Sequence, residues 1–269
     1  MTAPGQLALL TPEALGRPPS TTHLNLITWN VQNASPDRSR SQAGWLAQQE
    51  QADVAVLTEV GAGPGGDALV QALADNGYQS IVSAEPGGDY RTVIASRLPT
   101  LEVTPPASSF LAHRAPAARL TIGEHAVGLL GLYVPSRGPK ERRNENKRAF
   151  QASVTEHLAQ AVDGFGGLVV VAGDLNVVEP GHRPHHKVFG AWEYAFYRAF
   201  ADAGLVDAFR TLHPDAVEHS WFGRSSGYRF DHAFVSAAHR DQITACSYLH
   251  DVRRAGLSDH SAMTLTVVL

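Results

Sequence analysis

The sequence predicts an α+β fold, a four-layer α/β sandwich in which two mixed β-sheets pack face to face and helices flank them. Three observations predict it. Strand-like apolar runs outnumber helical patterns, and they come in groups. Long helical patterns follow those groups in both halves, whereas a doubly wound parallel sheet would alternate strand and helix. No Pro/Gly/Ser linker, fixed-period repeat or low-complexity tract divides the chain, so residues 23–269 read as a single domain behind a flexible leader, 1–22.

The elements follow in order. Residues 23–29 alternate and end at Asn30, a first strand. Residues 40–51 put Trp45 and Leu46 on one side of a helix. A second strand, 53–57, ends at Thr58-Glu59, and Gly63-Pro64-Gly65-Gly66 opens a helix over 67–75. Strands are expected near 78–82 and 92–95, then a hairpin of 117–122 and 126–134 around Gly123-Glu124. A long polar-basic helix spans 141–163. The apolar run 168–172 is too short for an independent helix and reads as a buried strand. A basic loop, 182–187, and an aromatic helix, 191–203, come next, with core packing as the default reading of the helix. Final strands fall near 219–222, 230–235, 243–249 and 261–268.

Composition narrows the function. Hydrophobic residues make up 43% and charged residues 18%, which describes a folded chain and not a disordered one. A formal net charge of −4 argues against coating nucleic acid indiscriminately but leaves a local basic groove open. The one cysteine, Cys246, permits no intrachain disulfide and no Cys-rich zinc site; inside an apolar strand it reads as inert core. No apolar stretch approaches membrane-spanning length. Residues 1–22 lack the basic start and compact apolar core of a signal peptide; a short turn of helix at 12–15 is their only pattern. A cytoplasmic monomer with no membrane partner is the default expectation.

The most informative tetrapeptide is Gly173-Asp174-Leu175-Asn176, at the end of the central apolar strand. An Asp there is costly to bury without a partner or a task. Asp174 and Asn176, two apart, point the same way if extended geometry continues, and could orient a water and hold a phosphoryl oxygen. Other strand ends also carry polar residues: Asn30, Glu59, Tyr133 before Val134-Pro135, Asp231 in Tyr228-Arg229-Phe230-Asp231-His232, and Asp259-His260 after Ser258. Converged in one cleft, such oxygen donors suit a hard cation like Mg²⁺, with Mn²⁺ as a substitute, and do not suit Zn²⁺.

Taken together and in this order, these motifs resemble those of the endonuclease/exonuclease/phosphatase superfamily, whose fold is DNase I-like, and most of all exonuclease III-type AP endonucleases. The resemblance runs from about Leu24 to the C-terminus. Asp53-Val54-Ala55-Val56-Leu57-Thr58-Glu59 resembles the second-strand motif, with Thr58 where Gln is usual. Asp207-Ala208-Phe209-Arg210 with Ser220-Trp221-Phe222 resembles a segment of the AP-endonuclease branch, with Ala208 for a small hydroxyl residue. Gly227-Tyr228-Arg229-Phe230-Asp231 resembles the late motif, with Ser225 for its opening Asn; Gln32 and Ser136 depart likewise. The departures flank phosphate and DNA contacts, so they bear on substrate preference.

The resemblance implies a Mg²⁺-dependent phosphodiesterase on DNA, double-stranded by preference, acting at abasic sites or from 3′ ends. Glu59 would hold the metal, with Asn30 and Asp259 completing its contacts. Asp174 would act as general base, with Asn176 positioning the water. Asp231 would fix the His260 tautomer and favour its cation, and Tyr133 would hydrogen-bond the phosphate. Substrate contacts fall to Ser136, Arg137, His182, Trp221 and Arg229. The basic run Arg137, Lys140, Arg142, Arg143, Lys147 and Arg148 meets a phosphate backbone or is a solvated helix face. His182, His185 and His186 have no zinc-ligand spacing and read as loop contacts. Trp221 and Phe222 stack on substrate or pack as core, and Arg210 pairs with an acidic neighbour. Two other readings stay open: a phosphoesterase of the same fold acting on RNA, phospholipid or inositol phosphate, and an inactive nucleic-acid-binding module.

Overall fold

The computed structural model describes residues 23–83, 90–98, 101–138 and 141–269. The expected leader and Lys140 lie outside the described residues. In chain order the elements are β1 (His23–Asn30), α1 (Pro36–Gln48), β2 (Val54–Gly61), α2 (Pro64–Asp75), β3 (Ser80–Ser83), β4 (Tyr90–Ser96) and β5 (Leu101–Thr104). There follow β6 (Ala117–Ile122), β7 (His125–Tyr133), α3 (Glu141–Phe165), β8 (Leu168–Asp174), α4 (Ala191–Asp202), β9 (Leu205–Asp207) and α5 (Ala208–Leu212). The remainder is β10 (Trp221–Phe222), β11 (Gly227–Tyr228), β12 (Asp231–Ser236), β13 (Ile243–Leu249), α6 (Asp251–Arg254) and β14 (Ala262–Val268).

The strands form two six-stranded mixed sheets, ordered β13-β14-β1-β2-β4-β3 and β5-β6-β7-β8-β12-β9. Among the described strands only β1–β2 and β7–β8 pair in parallel, one pair in each sheet. Period-two alternation then explains the layers. Leu24, Leu26, Val54 and Val56 of the first sheet and Leu129, Val170 and Ala172 of the second fill the core between the sheets. Their chain neighbours Ile27, Trp29, Ala55 and Leu57 turn outward against Ala43 and Leu46 of α1 and Leu69 and Leu73 of α2. Leu130, Leu132, Val169 and Val171 turn outward against Phe150, Val154 and Leu158 of α3 and Phe196 and Phe200 of α4. Central strands are thus buried on both faces, which is why β8 carries an unbroken apolar run. Cys246 is buried in this core. No helix among the described residues is long and apolar enough to cross a membrane.

Several boundaries differ from the sequence reading. Helix α1 begins at Pro36 and not at 40, because Ser35 caps Arg38 N and Pro36 suits the first helical position. The strand expected over 219–222 is only the two residues of β10, which pair with β11 in a hairpin outside both sheets. Strands β5 and β9 and helix α5 were not foreseen; each is too short to show a period.

A buried ionic network supports the second sheet from behind. Arg229 is fully buried; its Nη2 donates to Asp207 Oδ2 at 2.6 Å and its Nε lies 3.1 Å from Glu179 Oε2. Tyr197 OH also donates to Asp207, and Arg210 pairs with Glu179. Burial alone would raise the Asp207 carboxyl, but the Arg229 guanidinium outweighs it and holds the pKa well below the carboxylate range; Glu179 is lowered too, by His182 and Arg229 against the same burial penalty. Removing one partner leaves buried charge uncompensated, so Arg229→Met should cost about 3–5 kcal/mol in urea unfolding at neutral pH. Because both carboxylates bind protons less readily folded than unfolded, their stabilisation is present above the ordinary carboxylate pKa and lost as pH falls below it. Stability of Asp207→Asn should therefore fall less steeply than that of the parent between about pH 5 and pH 3.

Candidate active site

The two parallel pairs place four strand ends at one edge of the sandwich. In the second sheet Tyr133 is in register with Asp174 across β7–β8, and Asp231 faces Asp174 across β8–β12. In the first sheet Asn30 is in register with Thr58, one residue before Glu59. The two sheets meet where Asn30 Nδ2 donates to Asp174 Oδ2 at 2.9 Å and to Glu59 Oε2 at 3.1 Å.

Local backbone distortions aim these groups. The β2–β4 register shifts between Leu57 and Val60, and within that bulge Glu59 adopts φ 58°. Asn176 adopts φ 49°, and its main-chain N–H donates to Asp174 Oδ1 at 2.7 Å. Gly173 adopts φ 145°, and a Cβ there would lie 2.0 Å from the carbonyl oxygen of Leu132. A side chain at 173 would push β8 off β7 just before the catalytic candidate. Unfavourable backbone conformations clustered in this way mark sites where geometry is held for a purpose.

Tyr133 OH donates to Glu59 Oε2 at 3.0 Å, and burial, then the charges of Glu59 and Asp174, raises its pKa above the phenol range, so it stays a neutral donor. Arg114, itself buried, lies over the Tyr133 ring at 4.6 Å. Asn176 Nδ2 donates to Asp174 Oδ2 at 3.1 Å and to Val134 O at 3.0 Å. Burial and then the Asp231 charge push Asp174 up to about 7, while His260 and the Asn donors pull it back. His260 Nδ1 meets Asp231 Oδ2 at 2.7 Å. Burial alone would depress the imidazole, but the Asp231 charge and hydrogen bond raise it to about 9, so at neutral pH the ring is a cation. Ser258 and Trp29 fix the His260 backbone, accepting from its N–H at 3.1 Å and donating to its carbonyl at 3.2 Å.

The donor set fits a hard cation. Glu59, Asp174, Asp231 and Asp259 contribute carboxylates, and the buried oxygens Asp231 Oδ1 and Asp259 Oδ1 have no hydrogen-bond partner among the described residues. One atom each from Asp174, Asp231 and His260 also falls within 4.8 Å of the others, a second grouping able to hold an ion. The sequence reading made Asn30 a ligand, but its amide oxygen accepts from Gln32 N at 2.9 Å and its NH₂ faces the carboxylates. As oriented, Asn30 is a donor that bridges two acids.

The cleft, of about 410 Å³, is lined by Glu59, Tyr133, Ser136, Arg137, Asp174, Asn176, Trp221 and His260 of the predicted set. Asp259 sits beside it and accepts from Trp221 Nε1 at 2.9 Å. Two expected substrate contacts are corrected. Arg229 is buried in the ionic network, because Tyr228 and Phe230 occupy the cleft face of that extended segment. His182 is buried as well, facing Gly227 O at 3.4 Å and Glu179 Oε2 at 3.3 Å. Arg137 reaches the cleft but is paired with Glu193 at 2.9 Å. Lys147 is no solvated-face residue: fully buried, it donates to Asn176 O at 2.8 Å and Glu193 Oε1 at 2.7 Å. Glu193 thereby holds both the Asn176 turn and Arg137. The aromatic wall of Phe189, Trp221, Tyr228 and Phe230 was seen only at Trp221. The alternation of Tyr228 and Phe230 around Arg229 was the available signal for the rest.

A model described as the Endonuclease/Exonuclease/phosphatase family matches residues 27–260. A curated protein of Bacillus subtilis (strain 168) named exodeoxyribonuclease is 31% identical over 114 residues, 37% of this chain and 44% of that protein, so the chain spans less than half of that relative. Among solved structures, an AP endonuclease from Archaeoglobus fulgidus has a TM-score of 0.73 at 22% identity, over 90% of this chain and 98% of its own. A 3′-5′ exonuclease (NExo) from Neisseria meningitidis has 0.72 at 23% identity over the same shares. AP endonuclease LMAP from Leishmania major has 0.75 at 21% identity, over 93% of this chain and 89% of its own. These structures share the DNase I-like fold.

Gly173→Ala should lower stability by about 2–4 kcal/mol through the Leu132 clash and the backbone conformation it excludes. Thermal unfolding of the variant against Gly164→Ala, a position with open space around its Cβ, separates this from a general glycine effect.

Proposed function

The chain belongs to the endonuclease/exonuclease/phosphatase family, and on that premise we propose that it is a Mg²⁺-dependent phosphodiesterase that hydrolyses DNA at abasic sites, from 3′ ends, or both. The observation that carries the proposal is the buried row of Tyr133, Asp174 and Asp231, completed by His260 and faced by Asn30 and Glu59. A nuclease must activate water, neutralise a phosphoryl group and release an alkoxide, and these side chains divide that work.

Asp174, with a proton affinity shifted to about 7, accepts a proton from water, and Asn176 holds that water and a non-bridging oxygen. Water attacks phosphorus in line as its proton passes to Asp174, the P–O3′ bond breaks, and the departing 3′-oxygen takes up a proton from solvent, leaving a 5′-phosphate and a 3′-hydroxyl. The His260 cation, oriented by Asp231, and the Tyr133 hydroxyl offset charge on the phosphoryl oxygens. Glu59 is the first residue that would hold Mg²⁺, with Asp259 and Asn30 nearby. When bound, the ion supplies a Lewis acid that neutralises phosphoryl and leaving-group charge. Trp221, Tyr228 and Phe230 offer rings for a base or sugar.

DNA as substrate draws support from similar proteins, an exodeoxyribonuclease among them and a Neisseria 3′ phosphatase bound to a product DNA hairpin. One observation favours a second reading. Arg137 is committed to Glu193, so among the described residues the cleft offers few free cations for a long phosphate backbone. A phosphoesterase of the same fold acting on RNA, a phospholipid head group or an inositol phosphate would need fewer. A silent binding module would not need the complete set of acid, base and donor side chains.

A labelled duplex carrying one abasic-site analogue, run beside intact duplex, single-stranded DNA and RNA in Mg²⁺, Mn²⁺ and EDTA, tests the reading. We expect incision or 3′ trimming of DNA that EDTA abolishes. Asp174→Asn and His260→Ala should each slow it about 10²–10⁴-fold. Full activity in Asp174→Asn would overturn the mechanism, and no cleavage of any nucleic acid would overturn the DNA reading.

A further inference from the structure

A cavity larger than the catalytic cleft, about 530 Å³, lies at the β9 edge of the second sheet, between α4 and the loop that leaves β8. Tyr197, Leu205 and Phe234 contribute an apolar floor, while Arg183, Arg198 and Arg240 come from three separate segments of chain. Those three arginines are exposed and make no ion pair among the described residues. Two lining carboxylates, Glu179 and Asp207, are already neutralised by Arg210 and Arg229. Of the lining carboxylates only Asp215 makes no described ion pair, so three uncommitted cations face one uncommitted acid. Like charges gathered round one hollow repel each other and are relieved by an anion.

We propose that this cavity is a second ligand site, distinct from the cleft, that binds a nucleoside monophosphate. The volume is in the range of roughly 300–1,000 Å³ that small-molecule sites occupy, and too large for a phosphate ion alone. An apolar floor takes a base and sugar, and guanidinium groups at the rim take the phosphate through charge-assisted bonds. The same chemistry reaches the protein from two sources: a free mononucleotide, or the 5′-phosphorylated end of a strand. The proposal does not require the nuclease reading; a trimming enzyme would supply the free form as its own product.

Calorimetric titration of the full chain in EDTA tests it without turnover. The probes are AMP, adenosine, inorganic phosphate and a 5′-phosphorylated single-stranded oligonucleotide. AMP should bind more tightly than adenosine or phosphate. The double variant Arg198→Ala/Arg240→Ala should weaken AMP at this site about tenfold or more per lost guanidinium contact, whereas the cleft variant His260→Ala, which removes any binding in the cleft, should leave this arginine-dependent binding unchanged. Both arginines are exposed, so the double variant should keep the parent unfolding temperature. Tighter AMP identifies the free nucleotide as the source, and a tighter oligonucleotide with the same arginine dependence identifies a strand end. The proposal is overturned by no AMP binding at millimolar concentration, by adenosine binding as well as AMP, or by arginine variants that bind as the parent does.

Discussion

A single buried amide crosses the seam between the sheets, and the rest of the site depends on it. Asn30 belongs to the first sheet; its NH₂ donates to Asp174 of the second and to Glu59 of its own. Without that donor, the buried Asp174 carboxylate would face Glu59 with its charge less compensated, which is costly away from water. The Asn30 carbonyl accepts from Ser258 Oγ at 2.6 Å, and Ser258 Oγ in turn accepts from His260 N. One strand end therefore sets the separation of the acids, the approach of the sheets and the seat of the imidazole.

Charge in this molecule is handled in two ways. Behind the second sheet, Arg229 neutralises Asp207, and His182 with Arg229 and Arg210 neutralises Glu179, so the proton affinities of both carboxylates fall. In the cleft, Asp174 and Asp231 are left partly unbalanced, and the affinities of Asp174 and His260 rise instead. The first arrangement is a rigid support. The second leaves electrostatic work for a substrate or cation to complete. Glu193 joins the two styles, since its buried pair with Lys147 supports the Asn176 turn while its other oxygen restrains Arg137 at the cleft.

Much of this was legible in the sequence, because strand ends with polar residues stand out against apolar runs. Asn30, Glu59, Tyr133, Asp174, Asn176, Asp231 and His260 all announce themselves in that way, and the buried two-sided strands gave the sandwich. What was not legible lay in side-chain direction. Arg229 sits beside cleft residues in sequence but on the opposite side of an extended segment. Lys147 sits in a basic run, and only the packing of α3 against the β8 turn decides that it is buried. His182 reads as a loop residue until the chain folds back to Gly227. Short elements such as β9 and α5 have no period to detect; β9 exists because β12 supplies its partner, and α5 starts where the Asp207 carboxylate caps it.

The threading of the sheets has a further consequence, for synthesis. Among the described strands β1 comes first in chain order, yet its antiparallel neighbour β14 comes last, and β13 with β14 completes a sheet that β2, β3 and β4 only begin. A nascent chain can assemble the second sheet from β5 to β12 while the first still carries an open edge at β1. Such an edge invites pairing with another chain. His260 lies on the approach to β14, so chemistry and protection of the edge arrive together, and an intermediate from which β14 has yet to emerge has neither.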